Sequence, residues 1–208
     1  MNEQTSRKSN LTPFWILLAV CGLPYLLSWL YFANQASLPE LKTGNRGELI
    51  EPVRPVTGLE LSTAEGTILQ TDNFKGNWIL LSAGKSDCKE ACQKNIYFMR
   101  QIRRLMGEER TRIKRLFLLM DNEKQNEFVE NVKQYGEMDI ITSDTQGKQA
   151  LLKLMTLNGQ SPENRLFIID PAANLMMSYP QNIDPEDVAK DFRRLLKVVR
   201  IGEPKKAG

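Results

Sequence analysis

Residues 78–92 read Trp78-Ile79-Leu80-Leu81-Ser82-Ala83-Gly84-Lys85-Ser86-Asp87-Cys88-Lys89-Glu90-Ala91-Cys92, and this order decides the fold. Trp78–Ala83 is an almost continuous apolar run, the composition of a strand buried on both faces. A short turn through Gly84 follows, and a long amphipathic pattern begins near Glu90. Cys88 and Cys92 therefore fall where a strand hands over to a helix. Unpaired N–H groups and the helix dipole at such a junction favour thiolate, and Lys85 and Lys89 add positive charge.

On the N-terminal side, Leu59–Ser62 and Thr67–Leu69 predict a hairpin turning at Glu65-Gly66. On the C-terminal side, Ile96, Met99, Ile102, Arg103 and Met106 recur at helical spacing, with Gly107 as the stop. Leu116–Met120 predicts a second buried strand and Lys124–Tyr135 a helix ended by Gly136. Ile140-Ile141 reads as a short strand and Lys148–Leu157 as a short helix. Arg165–Ile169 and Leu175–Tyr179 form a hairpin about Asp170–Asn174, and a last helix runs from Pro185 to Val199 with Asp184 as its N-cap. Alternating strands and helices with buried apolar runs imply an α/β fold, a central sheet flanked by helices on both faces.

No charged residue occurs between Lys8 and Glu40, and Pro13–Phe32 is apolar over roughly the 20 residues a helix needs to cross a bilayer. Trp15, Trp29 and Tyr31 suit the interfacial aromatic belts. A signal peptide would have a shorter apolar region of about 7–15 residues and a small-residue cleavage site, so a retained single-pass anchor is expected. Cys21 is then a small apolar residue of that helix. The expected organisation is an N-terminal tail (1–12), a transmembrane anchor (13–33), a Pro- and Gly-containing linker or arm (34–57), the α/β domain (58–201) and a C-terminal tail (202–208). Arg7 and Lys8 flank the anchor more closely than Lys42 and Arg46, which places the N-terminus in the cytoplasm and the domain on the periplasmic or equivalent exported side of a bacterial-type inner membrane.

The chain contains no histidine, which removes Ser-His-Asp and Cys-His nucleophile pairs and every imidazole metal ligand. Three cysteines are too few for a disulfide framework. A net charge of +3 and the lack of a nucleic-acid motif give no reason to expect a nucleic-acid partner.

Over residues 58–200 and the anchor, the sequence resembles the membrane-anchored Sco copper-insertion family of the thioredoxin-like superfamily. The resemblance rests on GNWILLSAGKSDCKEAC (76–92), with its C-x-x-x-C motif, on LFLLMD (116–121), and on RLFIIDPAANLMMSYP (165–180). It implies a thioredoxin-like sheet and Cys88 and Cys92 as ligands of Cu(I). It also implies a role in assembling the copper centre of cytochrome c oxidase, with an oxidase subunit or another thiol or copper client as partner. The family's ligand histidine would fall near Pro162 or Glu163, and Gln93 stands where a proline usually follows the second cysteine. RLFIIDPAANL also resembles the late strand of peroxiredoxins, with Arg165 matching an arginine there. Their nucleophile motif needs threonine at 85 and proline at 81, where this chain has Lys85 and Leu81, so peroxidase chemistry is not expected.

Three readings of Cys88 and Cys92 stay open: two soft thiolates for Cu(I), a dithiol–disulfide pair that shuttles electrons, or a structural or vestigial pair. The first supports assembly of a copper centre or respiratory oxidase, by transient Cu(I) binding or by reducing a client. The second makes the chain a thiol–disulfide oxidoreductase of the exported compartment, and the third a non-catalytic interaction module. Turnover of a small-molecule substrate is not expected. Asp87, Glu90 and Glu163 are candidates for a hard oxygen ligand, although capping and dipole complementarity explain the first two. Arg100, Arg103, Arg104, Arg110, Arg112, Lys114 and Arg115 form a basic cluster that suits an acidic partner, lipid headgroups or a solvated face. Met176-Met177 offers soft thioether sulfur for copper, but at strand spacing one of the pair is expected simply in the core. Ser161–Pro162 is a candidate for the cis bond that thioredoxin folds often place beside the cysteine loop.

Overall fold

A computed structural model describes residues 11–34, 44–143 and 145–202. The chain divides into two compact units, Met1–Thr43 and Gly44–Gly208. In the first, the expected apolar span is α1 (Thr12–Ala33), a helix long and apolar enough to cross a membrane, with no buried residue and with Cys21 exposed. Arg7, Lys8 and Lys42, on which the expected orientation turns, lie outside the described residues, as do most of both tails and residues 35–43 of the expected arm.

The second unit is built on a six-stranded sheet. Its strands are β1 (Glu48–Pro55), β4 (Trp78–Gly84), β5 (Ile113–Leu119), β6 (Asp139–Ile141), β7 (Leu166–Ile169) and β8 (Asn174–Tyr179), in the order β1-β8-β7-β4-β5-β6. β2 (Glu60–Ser62) and β3 (Ile68–Gln70) make the expected hairpin, joined to the β6 edge through a bridge between Thr63 and Ile141. The helices are α2 (Glu90–Leu105), α3 (Gln125–Val132), α4 (Gln146–Met155) and α5 (Pro185–Gly202). Asp184 Oδ1 accepts from the Glu186 N–H at 2.9 Å, the N-cap expected for α5.

β4 runs parallel to β5 and antiparallel to β7, so it lies inside the sheet and both of its faces are covered. Successive side chains of a strand point to opposite faces. Ile79, Leu81 and Ala83 pack with Leu151 and Met155 of α4, while Trp78 and Leu80 pack with Met99 and Ile102 of α2 and Phe192 of α5. β5 divides the same way: Leu116 and Leu118 face α4, and Phe117 and Leu119 join Cys92, Ile96 and Phe128. An apolar residue in both phases is therefore what this position in the fold demands.

Residues 48–55 depart from the linker reading. They form β1 at the sheet edge, antiparallel to β8, with a register shift between Leu49 and Arg54 that accommodates Pro52. The cis peptide bond among the described residues is Glu51–Pro52, so Ser161–Pro162 is trans. Arg54 Nη1 donates to the Leu154 and Thr156 carbonyls at 2.7 and 3.0 Å and so satisfies the end of α4.

Candidate functional site

β4 ends at Gly84, and the chain then loops over Lys85–Lys89 before α2 begins. Four hydrogen bonds hold that loop. Ser86 donates to Asp121 Oδ1 through both its hydroxyl and, at 3.1 Å, its N–H, while the Lys124 N–H donates to Ser86 Oγ at 3.0 Å. The Cys88 N–H donates to the Lys85 carbonyl at 3.2 Å. Ser86 is buried, so the end of β5 and the start of α3 are tied to the cysteine loop through one hydroxyl. Burial pushes the Asp121 carboxyl upward, but the Ser86 hydroxyl, the N–H groups of Ser86 and Glu123 and the charge of Lys85 outweigh it, leaving the pKa below the ordinary value.

Cys88 and Cys92 are joined by a disulfide with Cα atoms 5.1 Å apart. Cys88 lies on the loop and is half-buried, and its carbonyl accepts from Gln93 Nε2 at 3.0 Å. Cys92, in the first turn of α2, is only 3% exposed and packs with Ile96 and Phe117. Solvent and an incoming thiol therefore meet Cys88 first. No side chain caps α2, so its first-turn N–H groups remain available to a thiolate on Cys92. A Cβ on Gly84 would stand 2.9 Å from the Phe117 ring and 3.4 Å from Cys92 Sγ, which is why glycine ends this strand.

The segment that would carry the Sco histidine lies beside this corner. Glu163 bridges to Ala83, and the Asn164 N–H donates to the Ala83 carbonyl at 2.8 Å. Asn95 Nδ2 holds the Asn164 carbonyl at 2.6 Å, and Asn164 Oδ1 is buried without a partner. No group of three or more His, Cys, Asp or Glu side chains able to hold a metal occurs among the described residues. Asp87 is engaged with Lys89 Nζ at 3.4 Å. The sulfurs of Cys88 and Cys92 offer two soft donors once reduced, and Asp87, Glu90 and Glu163 do not gather around them. Met177 is buried in the cluster between the sheet and α5, where its sulfur lies 2.9 Å from the Tyr179 hydroxyl oxygen, and Met176 packs against the same cluster.

A cavity of about 360 Å³ opens on the α3 side of the loop. Cys88 forms part of its wall, and Ile96, Phe128 and Val132 part of its floor. The basic cluster is less of a surface than its sequence spacing implies. Arg115 is buried and donates to the Tyr135 and Glu137 carbonyls, Arg112 pairs with Glu109, and Arg103 binds the Arg110 carbonyl and Glu137. Burial, then the charges of Arg103 and Arg100, lowers the Arg115 pKa to about 10, so it stays protonated at neutral pH.

Residues 78–199 match the family model for the transmembrane-like, thioredoxin-like C-terminal domain. The chain belongs to this transmembrane-like, thioredoxin-like family. The matched span runs from the first residue of β4 into α5, so the cysteine loop, α2 and the cavity all lie within the thioredoxin-like domain. Among solved structures, Bradyrhizobium japonicum ScoI with copper bound is similar at 16% identity, covering 66% of this chain and 96% of its own, with a TM-score of 0.54. Yeast Sco1 with copper bound is similar at 14% identity over 69% and 94%, TM-score 0.56. A thiol:disulfide interchange protein of the thioredoxin family from Chlorobium tepidum is similar at 14% identity over 71% and 99%, TM-score 0.56. These are likenesses of fold. No curated protein matches the chain.

The Ser86–Asp121–Lys124 tie, the Asn95–Asn164 contact and the need for glycine at 84 went unread in the sequence. Only the Asp121-Asn122 strand end hinted at the first.

Proposed function

We propose that this membrane-anchored, thioredoxin-like protein exchanges disulfides with cysteines of a client on the exported side of the membrane, and that it thereby assists assembly of a copper centre or respiratory oxidase. The observation that carries the reading is the Cys88–Cys92 disulfide, with one half-buried sulfur on a loop and the other buried at a helix N-terminus. A client thiolate attacks Cys88 Sγ, forming a mixed disulfide. The Cys88–Cys92 bond breaks and its electron pair leaves on Cys92 Sγ, where the free N–H groups of α2 lower the cost of the thiolate. A second client thiol attacks the mixed disulfide, releasing an oxidised client and a dithiol. The reverse sequence reduces a client.

The link to copper centres comes from the copper-bound Sco structures, which share the fold. Reduced Cys88 and Cys92 supply two thiolates, enough for Cu(I), which accepts low coordination numbers, so copper itself is the second reading. The discriminating experiment uses the full chain in detergent. Cys92→Ser is expected to accumulate a mixed disulfide through Cys88 with client proteins, and Cys88→Ser is not. If neither variant traps a partner and the reduced chain competes with a chelator for Cu(I) under anaerobic conditions, exchange gives way to metal transfer. Maleimide labelling of reduced Cys88 from outside intact cells checks the orientation.

A further inference from the structure

The cavity beside Cys88 is formed on one side by α2 and on the other by α3, away from the Pro162–Asn164 segment on which a Sco-type reading concentrates. Along α3 and the turns that flank it, Lys124 at the N-cap, Glu127 and Asn131 within the helix and Gln134 just beyond its end recur every three or four residues. All four line the cavity and are exposed, while Phe128 and Val132 beneath them are buried. The accessible lining is therefore mainly polar, over a closed apolar base of Ile96, Phe128 and Val132. Among the described residues, the side chains of Lys124 and Glu127 have no ion-pair partner, unlike Glu130, which pairs with Lys133 just past the end of α3. A volume of about 360 Å³ sits at the small end of ligand pockets, roughly two or three residues of extended peptide. Cys88 opens into it and Cys92 does not contribute to its wall.

We propose that this cavity is the client-reading groove. It receives the extended polypeptide segment that carries the client's reactive cysteine, with charged side chains of both signs beside that cysteine. The segment's carboxylate is matched by Lys124 and its cation by Glu127, and its thiolate meets Cys88 Sγ from the α3 side. The inference rests on the exchange reading above and adds the direction of approach and the chemistry of the segment. Electron flow is unchanged: the segment's sulfur bonds to Cys88, and Cys92 Sγ leaves with the pair.

The test follows reduction of the Cys88–Cys92 disulfide in the full chain in detergent micelles, by alkylation and mass shift. It compares dithiothreitol with two end-blocked peptides, Gly-Asp-Cys-Lys-Gly and Gly-Ala-Cys-Ala-Gly. The charged peptide is expected to react faster than the neutral one, with an advantage that fades at high salt. Asn131→Trp, which fills the groove from an exposed position, is expected to lower the ratio of charged-peptide to dithiothreitol rates by about ten-fold. Lys124→Glu is expected to erase the charged peptide's advantage. Gln181→Trp, which crowds the opposite approach near Glu163, is expected to leave that ratio unchanged. An unchanged ratio in Asn131→Trp, equal slowing of peptide and dithiothreitol, or a loss confined to Gln181→Trp would overturn the groove while leaving disulfide exchange standing. A disulfide that dithiothreitol cannot reduce and oxidant cannot restore would remove the exchange reading, and the groove with it.

Discussion

Asp191 Oδ2 accepts the hydroxyl of Tyr179 at 3.2 Å, and the same oxygen accepts the N–H groups of Arg46 and Gly47 at 2.8 and 3.0 Å. One buried carboxylate on α5 thus fastens the chain just ahead of β1 to both the last strand and the last helix. Asp191→Ala leaves three donors without this acceptor and is expected to cost about 2–3 kcal/mol. That is a fall in Tm of roughly 4–12 °C, read by thermal unfolding of the full chain in detergent. Tyr179→Phe removes one donor of the three and is expected to cost about 1 kcal/mol. Equal losses in the two variants would show that Arg46 and Gly47 contribute nothing to the fastening.

The Ser86 hydroxyl makes the cysteine loop sensitive to acid. The pKa of Asp121 is lowered in the folded chain from its ordinary 3.8, so the unfolded chain binds the proton more readily. The stabilisation is therefore complete above that ordinary value and is lost as pH falls through the depressed folded value. Ser86→Ala is expected to cost about 1–2 kcal/mol at neutral pH. Denaturant unfolding at neutral pH and at about pH 3 should show the gap between Ser86→Ala and the parent narrowing in acid. A gap that does not change with pH would assign the loss to the Lys124 N–H alone.

The central elements were legible because their physics is local. β4 and β5 are apolar in both phases, which only a strand covered on both faces needs, and α2 carries its core side chains at i, i+3 and i+4. β1 was not legible. Glu48, Glu51, Pro52, Arg54 and Pro55 resemble a solvated arm, since an edge strand exposes most of its side chains and can spare the N–H groups that proline lacks. The cysteine loop was placed correctly as a junction. Its supports, Asp121, Asn164 and the α3 rim, come from separate parts of the chain that only the folded sheet brings together. The basic cluster was only partly legible for the converse reason: its seven cations, close in sequence, include a buried Arg115 that serves carbonyl groups.

Opening the Cys88–Cys92 disulfide is expected to leave the domain folded. The cysteines are only four positions apart, and the chain-entropy relation for so small a loop gives roughly 2 kcal/mol. Reduction should lower Tm by roughly 4–8 °C while far-ultraviolet circular dichroism at room temperature stays unchanged. Exchange with a client requires this, because the dithiol must persist between partners. A chain that unfolds on reduction would make the bond structural.

Gly84 leaves room for the Phe117 ring that packs beside Cys92. Its missing Cβ would lie 2.9 Å from Phe117 Cζ, 3.4 Å from Cys92 Sγ and 3.5 Å from Asn164 Oδ1. Phe117 is fully buried against Phe128, with ring centroids 5.1 Å apart, so its ring has little room to retreat. Gly84→Ala is therefore expected to cost about 1–3 kcal/mol through overpacking, and to slow reoxidation of the dithiol because the Phe117 ring, which packs with Cys92, must shift. Thermal unfolding and the rate of disulfide re-formation read the two effects separately. Phe117→Leu removes the ring the new methyl group meets, so the double variant should recover part of the loss, with a coupling above about 0.5 kcal/mol. Strict additivity would locate the strain at Cys92 and Asn164 instead, and reoxidation would then remain slow in the double variant.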